Sequence, residues 1–173
     1  MRITISGKPG SGKSTVGKAV AKELGYKHYS TGDFMRELAV KKGISLNELS
    51  KLAEKSDEVD TLLDDRQTKL SDEDNFVLDA RLGFHFVKDS YKIFLKVSID
   101  EAVKRITGRE NNSNARQETI ERLNSERKRY KELYNINYED ESHYDLVIDT
   151  DNHNADEVIR IALDNIRKNT TFK

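Results

Sequence analysis

The chain has 173 residues, of which 35% are hydrophobic and 35% charged, and its formal net charge is −1. This length predicts one domain, and the small net charge excludes a general electrostatic attraction to nucleic acid or to membrane surfaces. The chain contains no cysteine, which excludes disulfides and thiolate zinc sites.

The chain begins with a predicted strand, a glycine-rich loop and a helix. Ile3-Thr4-Ile5 is a β-branched run typical of a short buried strand, and the segment 16–24 carries apolar residues at helical spacing. Between them, residues 7–14 match G-x-x-x-x-G-K-[ST] without a mismatch. A glycine-rich turn can match this pattern by chance, but the flanking strand and helix favour a phosphate-binding P-loop.

The residue types in this loop fit a bound nucleotide. Glycines allow a tight turn whose N–H groups point at an anion, and the helix N-terminus adds the positive end of its dipole. We therefore expect Lys13 to reach the β- and γ-phosphates and the Ser14 hydroxyl to ligate Mg²⁺.

The segment after the first helix predicts a second strand and three helices. Gly25 ends the first helix, and a short strand covers residues 26–29. Ser45 and Glu48 form a capping box at the start of the second of these helices. The first of the three helices is predicted over 34–40. The second begins at about 45, with Leu46, Leu49 and Leu52 facing inward. The third is predicted over 57–70, with Val59, Leu62 and Leu63 facing inward.

The rest of the chain alternates strands and helices. Strands are predicted at 76–78, 91–97 and 144–148, helices at 100–109, 116–133 and 155–166, a polar loop at 111–114 and a frayed tail at 169–173. Five apolar strands alternating with helices predict an α/β fold, a three-layer αβα arrangement with a five-stranded parallel sheet covered on both faces. No linker divides it, so we expect a single domain over 1–173.

Ligands of an open parallel sheet bind at the carboxyl ends of its strands, so the polar residues there are candidates. The second predicted strand is followed by Ser30-Thr31-Gly32-Asp33 with Arg36 one turn on, and the third by Asp79-Ala80-Arg81. We expect Asp79 to lie near Mg²⁺, although an acidic turn residue is the alternative. The forks of Arg36 and Arg81 are suited to grip one phosphate, although either arginine has a surface ion pair as its alternative.

A basic segment spans residues 104–131, where nine basic residues stand against four acidic ones. Arg105 and Arg109 share one helix face, and Arg122, Glu126 and Arg129 share another. Arginines that flank the polar loop suit a lid that closes over a polyphosphate, and a solvated charged helix is the alternative. The four histidines have no metal-ligand spacing.

With these motifs the chain resembles the nucleoside monophosphate kinases, most closely the compact archaeal-type cytidylate kinases. The resemblance is carried by the loop 7–15, by T-G-D-x-x-R at 31–36, by V-L-D-A-R-L at 77–82, by S-E-R-K-R-Y at 125–130 and by Y-D-L-V-I-D-T at 144–150. It implies ATP and Mg²⁺ as cofactors and an acceptor-binding helical segment at about 32–70, with a lid region at about 105–130.

The resemblance also implies roles for individual residues. ATP would be held by Gly7, Lys8, Pro9, Gly10, Ser11, Gly12, Lys13, Ser14 and Thr15, with its adenine near 149–152. The acceptor would contact Thr31, Asp33, Arg36, Asp79 and Arg81, and Ser14 with Asp79 would hold the metal. Arg105 and Arg109 would act with Lys13 on the transferring group, while Arg122, Glu126 and Arg129 would contact the base and phosphates of the acceptor.

Together the motifs and the resemblance predict a kinase that transfers the γ-phosphoryl group of ATP to CMP, and to dCMP as well. The alternatives are the same fold with AMP, shikimate or dephospho-CoA as acceptor, or a P-loop ATPase or switch module acting on a protein partner. The first strand begins at residue 2 and no apolar run is long enough to span a bilayer. We therefore expect a cytoplasmic monomer that acts on a small nucleotide and binds neither nucleic acid nor membrane.

Overall fold

The computed structural model describes residues 1–110 and 114–170, with only the backbone of Arg109, Glu110, Ala115 and Thr170. Five parallel strands form one sheet in the order β2-β3-β1-β4-β5. The strands are β1 (Arg2–Gly7), β2 (Lys27–Ser30), β3 (Phe76–Asp79), β4 (Tyr91–Lys96) and β5 (Leu146–Asp149). The predicted α/β fold with its five-stranded parallel sheet is therefore confirmed.

Helices cover both faces of this sheet. They are α1 (Lys13–Leu24), α2 (Thr31–Lys42), α3 (Leu46–Ala53), α4 (Glu58–Lys69), α5 (Gly83–Phe86), α6 (Ile99–Glu110), α7 (Ala115–Tyr134) and α8 (Ala155–Thr170). In β1, Ile3 and Ile5 are fully buried in the core that α1 and α8 complete. On the opposite face, α5 and α7 pack aromatic residues against Phe94 of β4. The result is three layers.

Helices α2, α3 and α4 form a small group with an apolar centre of its own, made by Ala39, Leu49, Ala53, Val59 and Leu63. The predicted capping box is present, since Glu48 N–H donates to Ser45 Oγ at 3.1 Å and Ser45 N–H donates to Glu48 Oε2 at 2.7 Å. The inward placement of Leu52 and Leu62 is wrong, because these side chains are 37% and 41% exposed. Because the group contains only three short helices, α3 and α4 each bury a narrower apolar face than the sequence pattern predicts.

Two further differences affect the site. Helix α2 begins at Thr31, because Ser30 Oγ accepts a hydrogen bond from Asp33 N–H and caps the helix there. Residues 31–33, which precede the predicted helix 34–40, therefore form the first turn of that helix. Helix α5, which follows β3, was not predicted.

Of the predicted polar loop and tail, residues 111–113 and 171–173 lie outside the described residues. Among residues 1–110 and 114–170, no helix has both the length and the apolar character needed to cross a membrane.

Candidate active site

The phosphate loop between β1 and α1 depends on glycine at two positions. Gly10 has φ +78°, and a Cβ atom there would lie 2.6 Å from the carbonyl oxygen of Ala102 on α6. Gly12 has φ +89° and precedes the first residue of α1. Both angles lie in the left-handed region that side chains disfavour, so this path of the loop requires glycine.

Lys13 is folded against the loop from which it projects. Its Nζ donates hydrogen bonds to the carbonyl oxygens of Gly7, at 2.7 Å, and of Lys8, at 3.0 Å, and the residue is 9% exposed. Burial, together with the nearby charge of Arg81, lowers the pKa of Lys13 to about 7. Its charge in the free protein therefore depends on pH near neutrality.

Three oxygen-bearing side chains meet where β3 ends. Ser14 Oγ donates to Asp79 Oδ2 at 2.5 Å, and Ser30 Oγ donates to the same oxygen at 3.2 Å. A hydroxyl and a carboxylate fit Mg²⁺, which prefers oxygen ligands and takes few of them from the protein when phosphates supply others. Among the described residues there is no group of three or more His, Cys, Asp or Glu residues that could hold a metal ion without a substrate.

The turn that carries Arg81 is held by β1. Ser6 is fully buried, and its hydroxyl oxygen lies 3.1 Å from the carbonyl oxygens of both Ala80 and Arg81, which share its single donated proton. Ala80 N–H also donates to the carbonyl oxygen of Ile5 at 3.1 Å. These bonds fix the backbone of Arg81 beside the phosphate loop.

One cleft brings together most of the predicted site residues. Its cavity has a volume of about 160 Å³ at the carboxyl ends of the strands. The cleft is lined by Pro9, Gly10, Gly12, Lys13, Ser14, Thr15, Thr31, Gly32, Arg36, Asp79, Arg81, Ile106 and Arg122. Residues of the predicted donor loop and of the predicted acceptor site thus face the same space.

The two predicted acceptor arginines are held differently. Arg36 is 54% exposed and pairs at 2.5 Å with Asp33, whose pKa this hydrogen bond lowers. Arg81 is 12% exposed and forms an ion pair with Glu126, which is 7% exposed. Burial opposes the charge of Arg81, yet the Glu126 carboxylate keeps the pKa of this guanidinium above its ordinary value.

The helix that carries Arg122, Glu126 and Arg129 places only the first of these residues in the cleft. Glu126 is buried against Arg81, and Arg129 is buried against Asp60 of α4, with Nε 2.9 Å from Oδ2. Arg129 also donates to Ser125 Oγ at 2.8 Å. Glu126 and Arg129 therefore do not line the cleft, because each is paired with a buried partner.

The buried Arg129–Asp60 pair leads to a stability prediction. We expect Asp60→Asn to lower the free energy of unfolding by about 3–5 kcal/mol, because it leaves the Arg129 charge buried without a counter-charge. Urea unfolding measures this loss. Asp100→Asn, which breaks the exposed pair with Arg116, is the matched control and should change stability by less than about 1 kcal/mol. Equal small losses in both variants would contradict the prediction.

Arg105 lies beside a second cavity, not in the cleft. Its guanidinium donates to Glu101 Oε1 at 3.0 Å, to Thr150 Oγ1 at 3.0 Å and to the carbonyl oxygen of Thr150 at 2.6 Å. These bonds tie Arg105 to the loop after β5. Arg109 lies on α6, but its side chain is outside the described residues.

The second cavity has a volume of about 350 Å³ and adjoins the phosphate loop through Ser11, Gly12 and Thr15. Its remaining lining residues are Val16, Glu101, Arg105, Thr150, His153, Asn154, Ala155 and Val158. The predicted adenine region 149–152 contributes Thr150 to this cavity, while His153 and Asn154 extend it beyond that range. Their loop position after a strand end is the only signal that the sequence offered for them.

Sequence reasoning also missed a carboxylate that contacts the phosphate loop. Glu139 lies in the turn after α7 and pairs with Lys8 at 3.2 Å. The same carboxylate accepts two hydrogen bonds from Arg127, at 2.7 and 3.0 Å. No motif marks Glu139, because it approaches Lys8 only through the tertiary fold.

Comparison with known proteins agrees with the fold and the phosphate loop. Residues 2–152 match the model of the cytidylate kinase-like family. The chain is 41% identical to the cytidylate kinase of Methanothrix thermoacetophila, over 96% of this chain and 98% of that protein. It is 39% identical to the cytidylate kinase of Methanocaldococcus jannaschii, over 97% of this chain and 100% of that protein.

Among solved structures, shikimate kinase from Acinetobacter baumannii in complex with shikimate is similar with a TM-score of 0.60. The alignment covers 97% of this chain and 93% of that one at 20% identity, and at this identity the likeness shows the fold alone. The family model and the two archaeal relatives, in contrast, match the sequence over most of its length. The chain therefore belongs to the cytidylate kinase-like family.

Proposed function

We propose that this protein transfers the γ-phosphoryl group of ATP to the phosphate of CMP, and of dCMP, to form the nucleoside diphosphate and ADP. The observation that carries the proposal is that Lys13 of the phosphate loop and the two arginines Arg36 and Arg81 line one cleft. Binding of the ATP phosphates requires only the phosphate loop. The two additional arginines therefore favour a second, anionic substrate in the same cleft. The cytidylate kinase relatives support CMP as that substrate.

In the proposed reaction an oxygen of the CMP phosphate attacks the γ-phosphorus of ATP, and the bond to the β,γ-bridging oxygen breaks. The attacking oxygen is already anionic at neutral pH, so positioning and charge stabilisation supply the catalysis and no strong general base is needed. Lys13 would stabilise charge on the β- and γ-phosphates. Arg36 and Arg81 would hold the acceptor in line. Arg122 lines the same cleft and would add positive charge there.

Ser14 and Asp79 would hold Mg²⁺, Ser14 directly and Asp79 through water. A Mg²⁺ ion held by these two residues would supply positive charge that offsets the negative charge of the phosphates. Gly7, Lys8, Pro9, Gly10, Ser11, Gly12 and Thr15 would complete the ATP site, while Thr31 and Asp33 would lie beside the acceptor. We propose the 350 Å³ cavity next to Arg105 and Thr150 for the donor base.

The whole chain would act as one domain, with about 32–70 binding the acceptor and about 105–130 forming the lid. We further propose a cytoplasmic monomer that binds neither nucleic acid nor membrane, which the net charge of −1 supports. Light scattering after size-exclusion chromatography would test the monomer.

Release of ADP, measured in a coupled assay with Mg·ATP, tests the function. The acceptors are CMP, dCMP, UMP, AMP, GMP, shikimate and dephospho-CoA, with one reaction lacking any acceptor. Turnover selective for CMP and dCMP is the expected result. Turnover with another acceptor would overturn the cytidylate assignment, and turnover that no acceptor stimulates would favour an ATPase or switch.

The lowered pKa of Lys13 predicts that ATP binding depends on pH. Below the pKa of about 7 the lysine is already charged. Above it, Lys13 must take up a proton from solvent when ATP binds. The affinity for ATP should therefore fall as the pH rises above 7, by up to about tenfold per pH unit.

Titration calorimetry measures this effect as proton uptake, from the dependence of binding enthalpy on the ionisation enthalpy of the buffer. Lys13→Arg is the control, because arginine stays charged and its complex keeps only the proton changes of ATP itself. The same proton uptake in both proteins would show that Lys13 is not the group that titrates.

A further inference from the structure

Helix α7 and the turn after it carry two carboxylates, one next to the cleft and one next to the phosphate loop. Glu126 lies in the middle of α7, and Glu139 lies five residues beyond its end. Neither residue is among those that line the cleft. Each one is instead paired with a cation that belongs to the cleft or to the phosphate loop.

On the acceptor side, Glu126 is the partner of Arg81. Lys13, Arg81 and Arg122 all line the cleft, so several basic side chains lie close together there. A buried guanidinium is stable only when an opposite charge compensates it. The buried carboxylate of Glu126 supplies that charge, and its ion pair holds Arg81 at the wall of the cleft.

On the donor side, Glu139 holds Lys8. Its carboxylate lies 3.2 Å from Lys8 Nζ and is fixed in turn by Arg127. Lys8 Nζ lies 3.4 Å from the carbonyl oxygen of Val97, to which it also donates. The backbone carbonyl of Lys8 accepts the 3.0 Å hydrogen bond from Lys13. Glu139 therefore restrains the part of the loop against which Lys13 packs.

We propose that Glu126 and Glu139 are positioning residues, Glu126 for the acceptor arginine Arg81 and Glu139 for the phosphate loop at Lys8. Neither would touch substrate. Each would act by fixing a cation whose place in the cleft or loop decides how well one substrate binds. The acceptor half rests on the proposed function, and the donor half requires only that the loop binds ATP.

The test is a pair of isosteric substitutions that separate the two substrates. Glu126→Gln should raise the KM for CMP by about tenfold or more and leave the KM for ATP within about twofold. Glu139→Gln should raise the KM for ATP by about three- to tenfold and leave the KM for CMP within about twofold. The assays are run well below the pKa of Lys13, because Glu126 raises that pKa and Glu126→Gln therefore lowers it.

Two controls match these variants in the kind of contact that they remove. Asp60→Asn breaks the other buried arginine–carboxylate pair and leaves both residues of the Arg81–Glu126 pair in place, so it controls for lost stability. Glu141→Gln breaks the exposed pair with Lys96, close to Glu139 in the chain. We expect neither control to change either KM by more than about twofold. Glu126→Asp and Glu139→Asp, which retain the charge, should recover part of each loss.

The outcomes decide the proposal. It is overturned if both glutamine variants raise both KM values alike, or if Asp60→Asn reproduces the effect of Glu126→Gln, because general loosening then explains the data. If Glu126→Gln does not fold, the KM for CMP of the folded Glu126→Asp variant decides that half, and an unchanged value overturns it. If the wild type does not use CMP, the proposed function fails, whereas calorimetric ATP affinity of Glu139→Gln still decides the donor half.

Discussion

Replacing Lys13 by methionine is expected to lower kcat by about 10²–10³-fold, the loss that follows removal of one preorganised electrostatic contact to a transition state. Methionine keeps the length and apolar character of the lysine stem and removes only the charge. The ammonium group lies in the cleft, where a low local dielectric strengthens its attraction for developing phosphate charge. Coupled release of ADP at saturating CMP measures kcat.

Lys22→Met is the matched control for this variant. Lys22 belongs to the same helix, is exposed, and undergoes the same chemical change. We expect it to leave kcat unchanged within about twofold. A loss of similar size in both proteins would indicate that helix α1 had been disturbed, and an unchanged kcat in Lys13→Met would remove Lys13 from the reaction.

Replacing Arg81 by alanine is expected to raise the KM for CMP by about 10²-fold and to change the KM for ATP far less. Arg81 offers its fork to the same cleft as Arg36, and a guanidinium bound to phosphate through two hydrogen bonds contributes about 1.5–3 kcal/mol. Arg81→Lys should recover only part of the loss, because an ammonium group lacks the planar fork. Steady-state kinetics with each substrate varied in turn measures both constants.

The Arg81→Ala variant also leaves Glu126 buried without its partner, so stability must be separated from acceptor binding. The double variant Arg81→Ala with Glu126→Gln removes both charges and should recover the free energy of unfolding without recovering the KM for CMP. Arg2→Ala is a matched control at the amino ends of the strands, where a partly buried arginine pairs with Asp74. Recovery of CMP binding in the double variant would show that Arg81 does not contact the acceptor.

The sequence by itself determined the fold class, the phosphate loop and the residues at the strand ends. These features are local: a β-branched run at 3–5, glycines at 10 and 12 whose φ angles side chains disfavour, and capping residues such as Ser45 and Glu48. Parallel topology then brings the carboxyl ends of β1, β2 and β3 to one edge. The convergence of Ser14, Arg36, Asp79 and Arg81 follows from that rule alone.

Only the tertiary structure decided which charged residues of α6 and α7 face the cleft. Arg122, Glu126 and Arg129 share one helix face, yet Arg122 lines the cleft while Glu126 and Arg129 are buried against Arg81 and Asp60. Helical spacing groups residues on a face but does not reveal what packs against it. The partners lie 45 and 69 residues away in the chain, and the requirement that every buried charge be neutralised selects them.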